Sequence, residues 1–226
     1  MNYFAHGRDA LHDPYRLAGT AVPDWLNVVN RKCRMRARRV EPLLADPDPR
    51  VAAIAAGVLE HLADDGWFHE TRAFAELSLA FCRQLRDLLS DLEGFRPYFL
   101  GHILVELLLD SALIEAAPQR LTEYYASIEC LDPALVESTV NRMAAVPAAG
   151  LARFLPLFCR ERFLWDYQDD GKLLMRLNQV MRRVALPTLP DSLTDWLPSA
   201  RIAVAERQAE LMMSAEAVVG PASQPV

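Results

Sequence analysis

A chain of 226 residues, 52% hydrophobic and 24% charged, is long enough to bury one substantial core and lies in the usual single-domain range. Its formal charge of −6 and pI near 5.4 argue against a general nucleic-acid binder, which needs a net basic surface to displace counterions from phosphates. The opening Met1-Asn2-Tyr3-Phe4-Ala5-His6 has no basic start followed by an apolar stretch, so no secretory signal is read and a cytoplasmic location is expected.

Apolar residues recur at intervals of three and four through nearly the whole chain, and no alternating run persists long enough for a strand. The pattern predicts an all-α fold: a single compact multi-helix domain over residues 1–214. Pro and Gly punctuation divides it into helices at about 23–30, 48–64, 70–92, 95–115, 118–129, 132–145, 148–166, 170–185 and 190–214. The basic run 31–39, holding Arg31, Lys32, Arg34, Arg36, Arg38 and Arg39, reads first as a solvated helix face and second as a landing patch for an anionic partner. Asp46-Pro47-Asp48-Pro49 and Asp132-Pro133 are good helix starts, because Asp accepts from free N–H groups and Pro suits the first turn. The most apolar segment, 98–117, carries His102, Glu106 and Asp110 on one helical face, which a membrane span would rarely tolerate, so no transmembrane helix is predicted. Cys33, Cys82, Cys130 and Cys159 form no C-x-x-C pair and read as reduced, mostly buried thiols. The small, polar tail 215–226 is expected to be disordered.

Chemistry is concentrated in few residues. Of five histidines, His61 and His69 flank Asp65 at i, i+4 and i+8, so a continuing helix would align all three along one stripe. His102, Glu106 and Asp110 repeat that spacing on a helix otherwise made of core-forming residues. A carboxylate in such surroundings is costly to ionise without a partner, and a shared metal supplies one. Imidazole with carboxylate suits zinc, manganese or iron, and inward-facing helices carrying such residues one turn apart are a common way to hold two ions. Two ions can grip the attacking and leaving oxygens of phosphoryl transfer and lower the pKa of bound water. The plainer alternative is hydrogen-bonded structural histidines with surface carboxylates such as Glu60 and Asp64 beside them. His12, before Asp13-Pro14, reads as a turn residue; Asp24 reads as a cap for a helix starting at Trp25, and His6 carries no signal from spacing.

These residues resemble, in order, the bacterial acyl carrier protein phosphodiesterases: the opening Met1 to His6, the Ala18-Gly19 turn leading to Asp24, the His61-x-x-x-Asp65-x-x-x-His69 stretch and the His102 helix. Phe163-Leu164-Trp165-Asp166-Tyr167, followed by Leu174, Leu177, Met181, Arg182 and Arg183, looks like that family's closing helical segment. The resemblance implies an all-helical, metal-dependent enzyme, usually working with manganese, that removes the phosphopantetheine arm from acyl carrier protein. It would make His6, Asp24, His61, Asp65 and His102 metal ligands or their near neighbours. Two positions depart from the pattern: His69 stands where the family tends to have Asp, and Gly101 stands where an Asp typically precedes the later His. A more distant resemblance, in the order Asp24, His61, Asp65, His69, His102 and Glu106, is to the zinc-dependent phospholipase C and single-strand nuclease group, also all-helical.

The expectation is therefore a phosphodiesterase-like hydrolase with a buried metal site between helices. Asp65 bridges two divalent ions, with His6, Asp24 and His61 around one and His69, His102 and Glu106 around the other. A metal-bound hydroxide attacks phosphorus, Arg182 or Arg183 orients the phosphate, and Asp110 or Asp64 fixes an imidazole tautomer. The substrate is acyl carrier protein or a small phosphodiester, with no nucleic acid and no membrane as partner. A non-catalytic helical metal-binding or interaction protein and a small-molecule phosphomonoesterase are the rivals.

Overall fold

The computed structural model describes residues 1–213, and the elements among them are all helices, with no strand. In chain order these are α1 (Tyr3–Gly7), α2 (Pro14–Val29), α3 (Ala37–Val40), α4 (Pro49–Glu70), α5 (Arg72–Leu88), α6 (Pro97–Ala116), α7 (Pro118–Glu129), α8 (Pro133–Met143), α9 (Leu151–Glu161), α10 (Asp170–Arg183), α11 (Leu197–Glu206) and α12 (Gln208–Leu211). Short 3-10 turns lie at Glu41–Ala45, Phe163–Gln168 and Asp191–Asp195. No helix of the described residues is long and apolar enough to cross a membrane. The expected disorder of 215–226 falls outside the described residues.

Several boundaries differ from the sequence pattern for identifiable reasons. α2 starts at Pro14, not near 23: Asp13 accepts from the Arg16 N–H and Pro14 occupies the first turn, while Pro23 lies inside the helix. α4 does not stop at 64 but runs through Gly66 to Glu70, which keeps His61, Asp65 and His69 on one helix. The expected 148–166 helix ends at Glu161, because Arg162 takes a left-handed φ of 44°. The expected 190–214 helix is divided at Trp196 and Arg207. The basic run is not a helix face either. Its first part is non-helical, with Cys33 and Met35 buried in alternation with exposed Arg34 and Arg36, and only Ala37–Val40 is helical. Of the cysteines, Cys33 and Cys82 are buried, Cys159 is partly so and Cys130 is exposed.

The chain separates into two compact units, with the division inside α4. The first unit comprises Met1–Asp64 and Leu113–Trp165. Its core is aromatic: Trp25 meets Phe158 edge-on at 5.5 Å, and the buried Tyr124 and Tyr125 pack beside it. The Tyr125 hydroxyl accepts from the Leu164 N–H at 3.0 Å. α2 packs on α1, α7, α8 and α9, and it meets α4 backbone to backbone. A Cβ on Gly19 would stand 2.3 Å from the Ile54 carbonyl, and one on Gly57 would stand 2.0 Å from the Arg16 carbonyl. Only glycine at both positions allows that approach.

The second unit comprises 65–112 and the described residues from Asp166 onward. α5 turns Phe74, Leu77, Phe81 and Leu85 inward and packs on α11 and α12. Phe81 meets Trp196 edge-on at 5.2 Å, and the Trp196 indole N–H donates to Gln84 at 2.9 Å. A Cβ on Gly101 of α6 would stand 2.8 Å from the Ser78 carbonyl of α5. Ser111 donates to the Tyr167 carbonyl at 3.0 Å and accepts from Arg201, which also pairs with Asp170 at 2.7 Å.

Candidate metal centre

His6 sits on α1, a helix of five residues that could not hold a position by itself. Its neighbours hold it. Tyr3 packs against Phe158 at 5.4 Å and Phe163 at 5.6 Å, Phe4 meets Tyr124 at 6.1 Å, and Gly7 lies so close to Leu17 and Tyr124 that a Cβ would clash with both. The His6 ring is thereby pressed onto that of His61, with centroids 3.8 Å apart and planes 25° from parallel. Both histidines are 3% exposed.

His61 follows Gly57 by one turn of α4, so the close approach of α2 and α4 brings its Nδ1 to 2.8 Å from the Thr20 carbonyl. A carbonyl only accepts, which places the proton on Nδ1 and leaves Nε2 as the basic nitrogen. The Nδ1 of His6 faces Asp64 at 3.5 Å, and Arg8 lies 3.7 Å from the same carboxylate oxygen. Asp65, one turn beyond His61 on α4, completes a group in which His6, His61 and Asp65 offer ligand atoms all within 4.8 Å of one another.

His69, His102 and Glu106 form a second group under the same limit. Glu106 and His102 are one turn apart on α6, and Gly101 brings that turn against α5. Both His69 and His102 place Nε2 on the same carboxylate oxygen of Glu106, at 3.0 and 3.1 Å. Phe74 packs against both rings, with centroids 4.8 Å from each. Its place is set by Thr71, which caps α5 by accepting from the Phe74 N–H and donates to the Phe68 carbonyl. Burial pushes the Glu106 carboxyl up, but nearby positive charge and the hydrogen bonds from His102 and His69 outweigh it and hold the group at about 2.

The other expected residues are placed as follows. Asp24 is half-buried on α2 and belongs to neither group. Asp110 is fully buried beside Ser111 on α6. Arg182 and Arg183 are exposed at the end of α10, Arg183 donating to the Gln179 carbonyl. His12 is exposed in the turn before α2, and Glu60 pairs with Arg16. Sequence reasoning passed over Thr20, Gly57 and Phe74. Thr20 acts through a main-chain atom, which no side-chain pattern reports, whereas Gly57 one turn before His61 was a readable sign of close helix approach.

Each group joins two imidazoles to one carboxylate, a donor set that fits zinc, manganese and ferrous iron. No family model matches the chain, and no curated protein or solved structure matches it.

Proposed function

We propose that the chain is a metal-dependent hydrolase of phosphate esters holding two divalent ions, of manganese, zinc or iron. One observation carries the reading: α4 contributes to both groups along a single stripe, with His61, Asp65 and His69 on successive turns. Four residues of helix rise about 6 Å, so along α4 Asp65 lies one turn from His61 and one turn from His69, and it would be the carboxylate available to both ions. His6, His61 and Asp65 would hold one ion, to which the resemblance alone would add Asp24; His69, His102 and Glu106 would hold the other. Ions so held supply a water deprotonated near neutral pH and positive charge for the leaving oxygen. The chain's own part would be to fix the His61 tautomer through Thr20, to hold His6 opposite Asp64, to shield the two buried imidazoles from bulk water, and to present Arg182 or Arg183 to a substrate phosphate.

The resemblance to acyl carrier protein phosphodiesterases supports a protein-borne phosphodiester as substrate, with the exposed basic run as its docking surface. The decisive comparison is between wild type and Asp65→Asn, which keeps size and removes the bridging charge. Turnover of bis-p-nitrophenyl phosphate with manganese should fall by orders of magnitude, bound metal should drop, and thermal unfolding should change little. A wild type that binds metal, cleaves no phosphate ester and owes mainly thermal stability to Asp65 would establish a structural metal protein instead. Cleavage of monoesters alone would assign the small-molecule phosphomonoesterase.

A further inference from the structure

The two groups differ in the features that govern how tightly an ion is kept. In the first, both histidines are 3% exposed; the His61 Nδ1 is hydrogen-bonded to the Thr20 carbonyl at 2.8 Å, and the His6 Nδ1 faces the Asp64 carboxylate at an ion-pair distance of 3.5 Å. Asp64 is itself oriented by Arg8. The Thr20 carbonyl fixes the tautomer and ring plane of His61 before an ion arrives, and stacking on His61 with the ion pair to Asp64 holds the ring of His6, so little is lost in ordering when an ion binds. In the second group the His69 and His102 side chains are 34% and 31% exposed, and among the described residues neither makes a hydrogen bond through Nδ1. Their Nε2 atoms are instead spent on Glu106. An ion entering there must first break two charge-assisted hydrogen bonds, and it remains open to water.

We infer that the two groups keep their ions unequally: the His6, His61 and Asp65 group retains one divalent ion, and the His69, His102 and Glu106 group exchanges a second with solution. This rests on the metal reading above. Free metal concentration then sets the fraction of chains carrying both ions, and with it the fraction able to turn over.

The test is a titration of the chelator-stripped full chain with cobalt(II), followed by calorimetry and by visible absorption, which responds to the ligand set of each ion. Two phases should appear, with dissociation constants at least tenfold apart. His102→Ala should lose the weaker phase and His61→Ala the tighter one, with circular dichroism checking that each variant is folded. Asp64→Asn, which touches no ion, should weaken the tighter phase by about 10–100-fold and leave the weaker one unchanged. Equal affinities, loss of the tighter phase in His102→Ala, or an unmoved tighter phase in Asp64→Asn would overturn the inference. Failure to bind cobalt at all would overturn the metal reading with it. Unequal binding without ester hydrolysis would uphold the inference and remove only the hydrolase.

Discussion

Two glycines on α4 should respond in opposite directions to the same change. At Gly57 an added Cβ would lie 2.0 Å from the Arg16 carbonyl oxygen, 2.8 Å from the Thr20 nitrogen and 2.9 Å from the Gly19 Cα. All three are backbone atoms, so no rotamer change relieves the contact, and α2 and α4 must separate by more than an ångström. Overpacking of this kind costs about 1–3 kcal/mol, and backbone contact puts Gly57→Ala at the upper end. Separation also stretches the hydrogen bond from His61 to the Thr20 carbonyl, which is worth about 1 kcal/mol. Against this, alanine in a helix interior is favoured over glycine by about 1 kcal/mol.

The clash therefore wins, by about 2–3 kcal/mol, and Gly57→Ala should unfold about 5–10 °C below wild type. Gly66, nine residues along, is exposed and an added Cβ meets nothing within 4 Å. Only propensity acts there, so Gly66→Ala should gain about 0.5–1 kcal/mol and unfold a few degrees higher. Thermal unfolding of both variants followed by circular dichroism, with cobalt titration of Gly57→Ala to follow the first metal group, measures both effects. If Gly57→Ala unfolds at or above the wild-type temperature, α2 and α4 do not touch at their backbones and the account of how His61 is positioned fails.

Reversing Arg34, Arg36 and Arg38 to Glu should slow turnover of holo acyl carrier protein and abolish its salt dependence, while hydrolysis of bis-p-nitrophenyl phosphate stays unchanged; equal loss on both substrates would remove the docking role. Asp46, whose carboxyl is held below its ordinary value of 3.8 chiefly by the hydrogen bond from Arg142, lends stability above that value and loses it as pH falls through it. The unfolding temperatures of wild type and Arg142→Ala should accordingly differ near neutral pH and converge in acid. Burial, with the charge of Glu129 adding to it, pushes the Cys159 thiol up to about 11. Peptide mapping after iodoacetamide near pH 8 should find the exposed Cys130 alkylated well before Cys159, with Cys159 catching up as pH rises.

The all-helical class was readable because the longer α-helices bury residues at the three-and-four spacing that the sequence displays, whereas the short α1 and α3 were not expected. Ends were read less well, and the misses share a cause. Pro23 looks like a helix start but lies inside α2, and the true start carried a local signal that was passed over, the Asp13-Pro14 pair, which has the same form as Asp132-Pro133. The residue Gly66 similarly suggested that the helix stopped at 64, yet Phe68, buried against Phe74 beyond it, carries α4 onward. In the basic run, charge dominated the reading, and the period-two burial of Cys33 and Met35 was too short to register. The site showed the same division. His61, Asp65, His69, His102 and Glu106 announced themselves by spacing, since a helix converts that interval directly into a shared face. His6 did not, because aromatic packing of its neighbours, far apart in sequence, is what holds it against His61.

The glycine at position 101 has a physical reason in the packing of α6 on α5. A Cβ at that position would press to 2.8 Å from the Ser78 carbonyl and 3.1 Å from the Cys82 nitrogen. Both contacts are backbone, so α6 could carry a side chain at 101 only by withdrawing from α5. That withdrawal would take His102 away from Phe74, the ring that also packs on His69. The glycine lets α6 approach α5 closely enough for His102 to meet Phe74 and to share the Glu106 carboxylate with His69.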